Sequence, residues 1–518
     1  MHKVIIIGGG PVGLSAAICL AYQGVSSILI EKHPTTTNHP KARGVNGRSM
    51  ELFRLWGLEE QLKQYQMPSE AYRFTWLEDF QGKEITRVQA TVDYSPYSPT
   101  EHAILAQDDL ERELFKKAQS MSLITLRFNT EMIHAVQNKE QVTVEILDKQ
   151  TKKKATLSAQ YLIAADGANS FLRKLFNVEM EGRDNLGTFC NIYCEMNLDK
   201  YVQHRPSAGF MFTRPDIRGT FILAKKDQRK WLVGVRVSSH PHLTKESFTD
   251  EFCLAYVKQV IRDPEVKVQL INKDFWTMAA LIAKQYRVGR VFFSGDAAHR
   301  LPPTGGFGMN TGIQDVHNLA WKLAMVLQGQ AHELLLDTYF TERVQIAKTN
   351  TSWSLDNAKR FEKIFEALAR DDLATFEEAL KDQAHHINNI LLDLGFIYGC
   401  DYQREEYNPS ARVGARAPHC WLLKNLKQIS VLDLYHDQFV LVCHPEALDW
   451  QSKFLRFPCK IVTVGKLGEY MDPNHDFLEK YSITKQGAVF VRPDGHVAWR
   501  SNDEKGSMET FSWLYQKI

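Results

Sequence analysis

Hydrophobic positions in this chain change period several times, and the changes mark its organisation. Val4 to Ile7 is a continuous apolar run, the pattern of a strand buried on both faces, and it stops at Gly8-Gly9-Gly10-Pro11-Val12-Gly13. Helical spacing from Leu14 to about Gln23 predicts a helix that Gly24 ends. Ile28-Leu29-Ile30 then predicts a second strand running into Glu31. Met50, Leu52, Phe53 and Leu55 form the apolar face of a helix after Asn46, and Leu162 to Ala165 reads as a strand. From about Glu181 to Gln285 the text is strand-like, at Phe189–Met196, Ala208–Thr213, Gly219–Ala224 and Trp231–Val237. A short strand, Val291-Phe292-Phe293, ends in Ser294-Gly295-Asp296, and a loop rich in proline and glycine follows (Pro302, Pro303, Gly305, Gly306, Gly308). Ile313, Val316, Leu319, Ala320 and Leu323 predict a helix from about Gly312. After Glu333 the pattern stays helical for roughly sixty residues. Residues 401–415 read as a linker, and 416–518 as a unit with strands at Phe439–Cys443 and Ile461–Val464 and a hairpin across Ala488–Arg500.

The first of these patterns carries chemistry. A strand, a G-x-G-x-x-G, a helix and an acid closing the second strand form a dinucleotide-binding unit: pyrophosphate rests on the helix N-terminus and Glu31 bonds ribose hydroxyls. FAD and NAD both fit such a unit. No second glycine-rich fingerprint follows, so the chain has one dinucleotide domain, as an enzyme that keeps a flavin requires. The glycines before the helix at 312 let backbone approach a ligand closely, and Asp296 at a strand end is placed to accept from a sugar-like hydroxyl.

Charge and cysteine content narrow the class. Lys and Arg number 63 against 61 Asp and Glu, a net +2 that argues for neither nucleic acid nor an anionic membrane. The eight cysteines include no CxxC and no Cys/His cluster, so neither a metal site nor a disulfide framework is expected and a reducing cytoplasm is the natural setting. No apolar run approaches the ~20 residues that span a bilayer.

Four segments resemble one family. They are Gly295-Asp296-Ala297-Ala298-His299 with Pro302-Pro303, Gly305 to Gly308 and Asn310-Thr311-Gly312; then Asn318-Leu319-Ala320-Trp321-Lys322-Leu323; Gln107 with Leu110, Glu111 and Leu114; and Asp166-Gly167 with Ser170 and Arg173. With the first fingerprint, the set is similar to the group A FAD-dependent aromatic hydroxylases, the para-hydroxybenzoate and phenol hydroxylase superfamily.

The resemblance implies an α/β fold. A Rossmann-like FAD-binding domain is expected over 1–180 and 286–400, an inserted antiparallel-sheet substrate domain over 181–285, and a thioredoxin-like domain over 416–518. Cys443 has no partner two or three residues away, so a dithiol role for that last domain is not expected. The cofactor contacts implied are Gly8, Gly10, Pro11, Val12, Gly13, Glu31, Lys32, Lys41, Arg43, Gly44, Gln107, Asp166, Asp296, Pro303, Gly306, Gly308, Met309 and Asn310. The family's usual Pro-Arg-Ala stands here as Pro40-Lys41-Ala42, so the cation facing the phosphates is Lys41 or Arg43. The implied reaction uses NADPH or NADH and O2 to hydroxylate a phenolic or polycyclic aromatic substrate through a flavin C4a-hydroperoxide. Baeyer–Villiger or epoxidising chemistry, antibiotic inactivation, and a flavoprotein that mainly binds its ligand are the alternatives. Tyr193, Phe275, Trp276 and Tyr286 are pocket candidates, with a core role equally compatible. His204, His299, Tyr193 and Tyr286 are the groups to consider as a base, and the sequence assigns none. A homodimer is a further expectation.

Overall fold

The computed structural model describes residues 2–89, 91–226, 229–237, 244–387, 390–400, 407–455 and 457–502. The opening of the expected linker (401–406) and the end of the C-terminal unit (503–518) lie outside the described residues.

The apolar run Val4–Ile7 sits at the centre of a six-stranded sheet, fully buried because strands flank it on both sides. Its order is Arg287–Val288, Val291–Phe293, Tyr161–Ala164, Val4–Ile7, Ser27–Ile30, Ile124–Arg127, parallel except at the first pair. The first helix spans Pro11–Tyr22, starting three residues before the Leu14 expected, because Pro11 occupies its first position with φ already suited to a helix. It packs against a second long helix, Phe307–Leu327, and the two meet where side chains are absent. A Cβ at Gly312 would stand 2.6 Å from the Val12 Cγ2 and 2.9 Å from the Gly295 Cα.

That second helix begins at Phe307, five residues ahead of the expected Gly312. Gly308, Met309 and Asn310 therefore lie in its first turn and not in a loop. Gly306 at φ +69° makes the entry.

The expected antiparallel sheet has seven strands, ordered Gln269–Thr277, Thr188–Glu195, Lys230–Arg236, Phe221–Ala224, Gly209–Phe212, Arg73–Leu77, Glu84–Gln89. Residues 73–89, from the stretch read as FAD-binding, supply two of its strands, and the join Gly209–Phe212 to Arg73–Leu77 is parallel. The join unites two separate passages of the chain, so no hairpin imposes the antiparallel sense. One face of this sheet packs on the helix Asp250–Ile261 around Cys190, Ile192, Val233 and Val257. The other face looks toward the six-stranded sheet across a cavity. Its outer edge is closed by the helices Thr338–Ala369 and Leu373–Ile387, which bury Trp76 and Val88 with Ile364, Phe376 and Leu380.

The C-terminal unit carries a four-stranded sheet, Cys459–Thr463, Phe439–Cys443, Ala488–Val491, Val497–Ser501. Residues 407–415, read as linker, join its packing: Ala411 is buried in its core, and Val497 N–H donates 2.8 Å to the Ala415 carbonyl. Among the described residues no helix is long and apolar enough to cross a membrane.

Candidate functional site

Between the two large sheets lies one continuous cavity of about 2560 Å3. Of the cofactor residues expected from sequence, all but Gly13 border it. Gly13 instead closes the turn beneath, where a Cβ would stand 1.9 Å from the Gly8 carbonyl oxygen.

The glycines divide into two groups. At Gly8, Gly295 and Gly312 a side chain would strike the protein itself, so these positions let strand and helices approach. At Gly10, Gly44, Gly167, Gly306 and Gly308 it would meet nothing within 4 Å, yet all five border the cavity. Bare backbone facing open space is what a closely held ligand requires. The helices Pro11–Tyr22 and Phe307–Leu327 both point N-termini here, and neither has a side-chain cap, so their first N–H groups are left for a ligand.

Polar side chains fill in between. Glu31 accepts from Gly9 N–H at 2.6 Å and from His33 N–H at 2.9 Å, which fixes its carboxylate at the cavity rim. Gln107 accepts from Ala42 N–H at 3.1 Å and donates to Glu111 at 2.7 Å, tying the 41–43 loop to its helix. Asp166 accepts from Leu172 N–H at 3.1 Å through one oxygen, while its other oxygen is buried without a partner. Burial pushes the carboxyls of Asp166 and Asp296 up. Asp296 itself reaches into the cavity. Its loop is held from behind by Arg173, which donates to the carbonyls of Ala297 (3.2 Å) and Ala168 (2.7 Å) and so couples two motifs. An orphaned carboxylate oxygen, five open glycines and two uncapped helix ends fit a dinucleotide with ribose hydroxyls and a pyrophosphate.

Residues 1–354 match the family described as FAD binding domain, and residues 410–514 match the aromatic-ring hydroxylase C-terminal family. The chain belongs to the FAD-dependent aromatic-ring hydroxylases. It is 33% identical to a tetracenomycin A2 monooxygenase-dioxygenase of Streptomyces glaucescens, over 96% of this chain and 93% of that one. To a 4-methyl-5-nitrocatechol 5-monooxygenase of Burkholderia sp. it is 32% identical, over 96% and 94%. The flavin-dependent monooxygenase PieE, solved with FAD and substrate, superposes with a TM-score of 0.92 at 28% identity, covering 100% of this chain and 99% of that one. Aklavinone-11 hydroxylase with FAD and aklavinone gives 0.86 at 27% identity, with 100% of both chains covered.

In this hydroxylase the remaining candidates separate. Lys41 borders the cavity, exposed, and its charge acts on Asp296. Arg43 turns toward the seven-stranded sheet, donating to the Leu223 carbonyl at 3.3 Å. Burial holds its guanidinium down to about 10, against the pull of Asp108. Trp276 borders the cavity and stacks on Phe189, its cross-strand partner, with centroids 4.5 Å apart and planes 8° from parallel. Phe275 also borders it.

Tyr193 and Tyr286 do not. Tyr193 is on the cavity side of its strand, but the His39 ring packs edge-on against it at 5.8 Å and covers it. Tyr286 lies behind the parallel sheet against Tyr339 and Phe340 of the long helix. The base candidates fare alike. His204 is exposed away from the cavity, and His299 is sealed at 0% exposure with its Nε2 2.6 Å from Asp315. Asp315 also accepts from Arg343 at 2.8 Å. Burial opposes its ionisation, but His299 and Arg343 outweigh that and hold the carboxyl below its ordinary range. His299 is thus part of a buried strut under the Asp296 loop.

The second half of the long motif is likewise elsewhere: Trp321 and Lys322 are buried against the C-terminal unit. Sequence reading missed Asn46, Tyr94, His102 and Asp393, which also border the cavity. They come from loops and one short helix, with no local pattern to mark them.

Proposed function

We propose that this hydroxylase uses NADPH or NADH and O2 to hydroxylate a phenolic ring of a polycyclic aromatic substrate. The observation that carries the reading is the single cavity running from the first fingerprint to the seven-stranded sheet. Its volume of about 2560 Å3 exceeds the ~300–1,000 Å3 of a drug-sized site. A dinucleotide takes one half, and the other is bordered by Phe74, Phe189, Phe221 and Trp276, aromatic side chains suited to fused rings. Relatives named for tetracenomycin and aklavinone support the larger substrate over those named for nitrocatechol or dichlorophenol.

Bound there, FAD supplies hydride acceptance from reduced nicotinamide and the activation of O2. The protein's part is to hold, orient and exclude water. The Pro11 helix end and Lys41 take the pyrophosphate, and Glu31 and Asp296 take hydroxyls of the ribose and the sugar-like chain. The N–H groups at the start of the Phe307 helix hold negative charge on the ring system. Gln107, Asp166 and Pro303 shape the walls. We divide the chain as expected from sequence, with residues 73–89 moved to the substrate sheet. The eight cysteines are free thiols, which suits the cytoplasm.

The test is oxidation of NADPH and NADH by the FAD-loaded protein, with simple phenols and with hydroxyanthraquinones, scoring peroxide against hydroxylated product. Many-fold stimulation by a fused-ring phenol with matching product is expected. Peroxide alone with every aromatic would overturn the reading.

A further inference from the structure

Two side chains outside every fingerprint, Tyr94 and Asp393, form a small network on the cavity wall. Tyr94 and Asp393 both border the cavity there, and the Tyr94 hydroxyl donates to Asp393 Oδ2. Asn46 Nδ2 donates to Asp393 Oδ1 at 3.0 Å. The same Asn46 gives its backbone N–H to Asn310 Oδ1 at 3.1 Å, and Asn310 in turn ties down the carbonyls of Gly306 (2.8 Å) and Gly44 (3.0 Å). The pair is thus fixed to the two glycine segments that border the cofactor half. Behind it, the Tyr94 ring lies on Gly47, where a Cβ would stand 2.4 Å from ring carbon.

The direction of these bonds decides what the site can do. Tyr94 borders the cavity and gives its one proton to Asp393, so what its oxygen can still offer a ligand, beside the bond it accepts from the Gly47 backbone, is an acceptor. The ligand group that fits an acceptor in an aromatic-walled cavity is a phenolic O–H. We propose that Tyr94 takes the proton of the substrate's phenolic hydroxyl while passing its own to Asp393, a role that rests on the hydroxylase reading above. The substrate O–H bond breaks, a new one forms on Tyr94, and the Tyr94 proton bonds to Asp393 Oδ2. The products are a bound phenolate and a neutral carboxylic acid, with no electrons transferred. Phenolate is the electron-rich form that an oxygen-transfer step needs.

The neighbourhood suits Asp393 to that end of the relay. Its donors are Tyr94, Asn46 and the Gly47 backbone, and no cation faces it; burial pushes the carboxyl up to about 6, where it exchanges a proton near neutrality. Glu51 on the adjoining helix shows the contrast. Burial opposes its ionisation too, but Arg416 and Arg48 outweigh that and hold it down to about 2, so it stays charged. The other titratable groups beside the pair are His102, whose ring centre is 5.5 Å from that of Tyr94, and this same Glu51, whose charge acts on Tyr94. Tyr94 is the catalytic residue of the two and Asp393 the positioning one.

The test uses the FAD-loaded, oxidised full chain with alizarin, a hydroxyanthraquinone whose visible band moves to longer wavelength on ionisation, followed by turnover with the best phenol found. In the wild type, bound alizarin ionises near neutrality. In Asp393→Asn and Tyr94→Phe its ionisation is expected to move up by about one pH unit or more. The kcat at pH 7 should fall on the order of 10²-fold, with KM little changed and the loss relieved at high pH. Asp393→Glu should restore part of the rate. Variants that retain FAD but ionise alizarin and follow pH as the wild type does would overturn the relay. A wild type that hydroxylates nothing, while its bound alizarin still ionises at lower pH than in both variants, would instead sink the hydroxylase reading alone.

Discussion

One helix, Phe307–Leu327, serves two regions that treat polar groups in opposite ways. Its first turn faces the cavity with an uncapped end, open space at Gly306 and Gly308, and N–H groups awaiting a ligand. Farther along, Asn318, Trp321 and Lys322 enter a seam with the C-terminal unit where every charge is met. Trp321 Nε1 donates to Asp494 at 3.1 Å, and Lys322 donates to Glu342 at 2.7 Å and to Asn318 at 2.9 Å. Arg492 donates to both Glu342 oxygens at 2.7 and 2.9 Å. Burial without partners is costly, so a folded chain leaves donors unmatched only where something else completes them. The seam satisfies itself, and the cavity leaves its donors for the ligands we propose, though one motif spans both.

The sharpest way to break that distinction is to unpair the seam. Arg492→Met leaves Glu342 and Asp494 buried without it and should cost about 3–5 kcal/mol, seen as a large drop in thermal stability with or without FAD. The seam also sets an acid limit. Burial opposes ionisation of Glu342, yet Arg492 and Lys322 hold its carboxyl down to about 2. The unfolded value is about 4.3, so this contribution is present above that pH and is lost as pH falls toward about 2. Stability measured from pH 6 downward should fall in that window, less steeply in Glu342→Gln.

The next effect sharpens the cavity side. Gly8→Ala puts a Cβ 2.2 Å from the Ala165 carbonyl oxygen at φ +112° and should disrupt the fold itself. Gly10→Ala meets nothing and should fold with unchanged melting of the apoprotein. Its FAD dissociation constant should nonetheless rise roughly tenfold or more, as for loss of ~1.4 kcal/mol of binding. Equal losses of apoprotein stability in both would dissolve the two classes of glycine. Smallest is Trp276→Ala, which removes a stacked pair worth about 0.5–1.5 kcal/mol. It should raise KM for fused-ring substrates several-fold and leave FAD affinity alone, read by steady-state kinetics and flavin fluorescence.

Much of this is legible in the sequence because the informative residues are neighbours in the chain. Strand, glycines, helix and Glu31 span one βαβ unit, and apolar periodicity reports such local order well. It reports pairing between distant segments poorly, which is why Arg73–Leu77 gave no sign of adding to Gly209–Phe212. The helix start at Phe307 was hidden for a different reason. Gly308 and Gly312 lower helix propensity and read as loop, yet tertiary packing against Val12 and Gly295 overrides that preference. Tyr193 and Tyr286 carried the right chemistry but were covered by His39 and by the long helix, and cover is not written in sequence. Asp393, a single acid on the short helix Ile390–Leu394, becomes notable only beside Tyr94.

The interleaving of the two sheets also has a consequence in time. The parallel sheet needs strands from Val4 to Phe293, and the sheet opposite needs strands from Arg73 to Thr277. Neither can close until nearly three hundred residues have left the ribosome, about 15 to 60 s at ~5–20 residues per second. Val4–Ile7 has both its neighbours once Ala164 is made, and from then on it is Tyr161–Ala164 that waits with an open edge for Val291–Phe293. The cavity therefore comes into being late, as the last strands close both of its walls together.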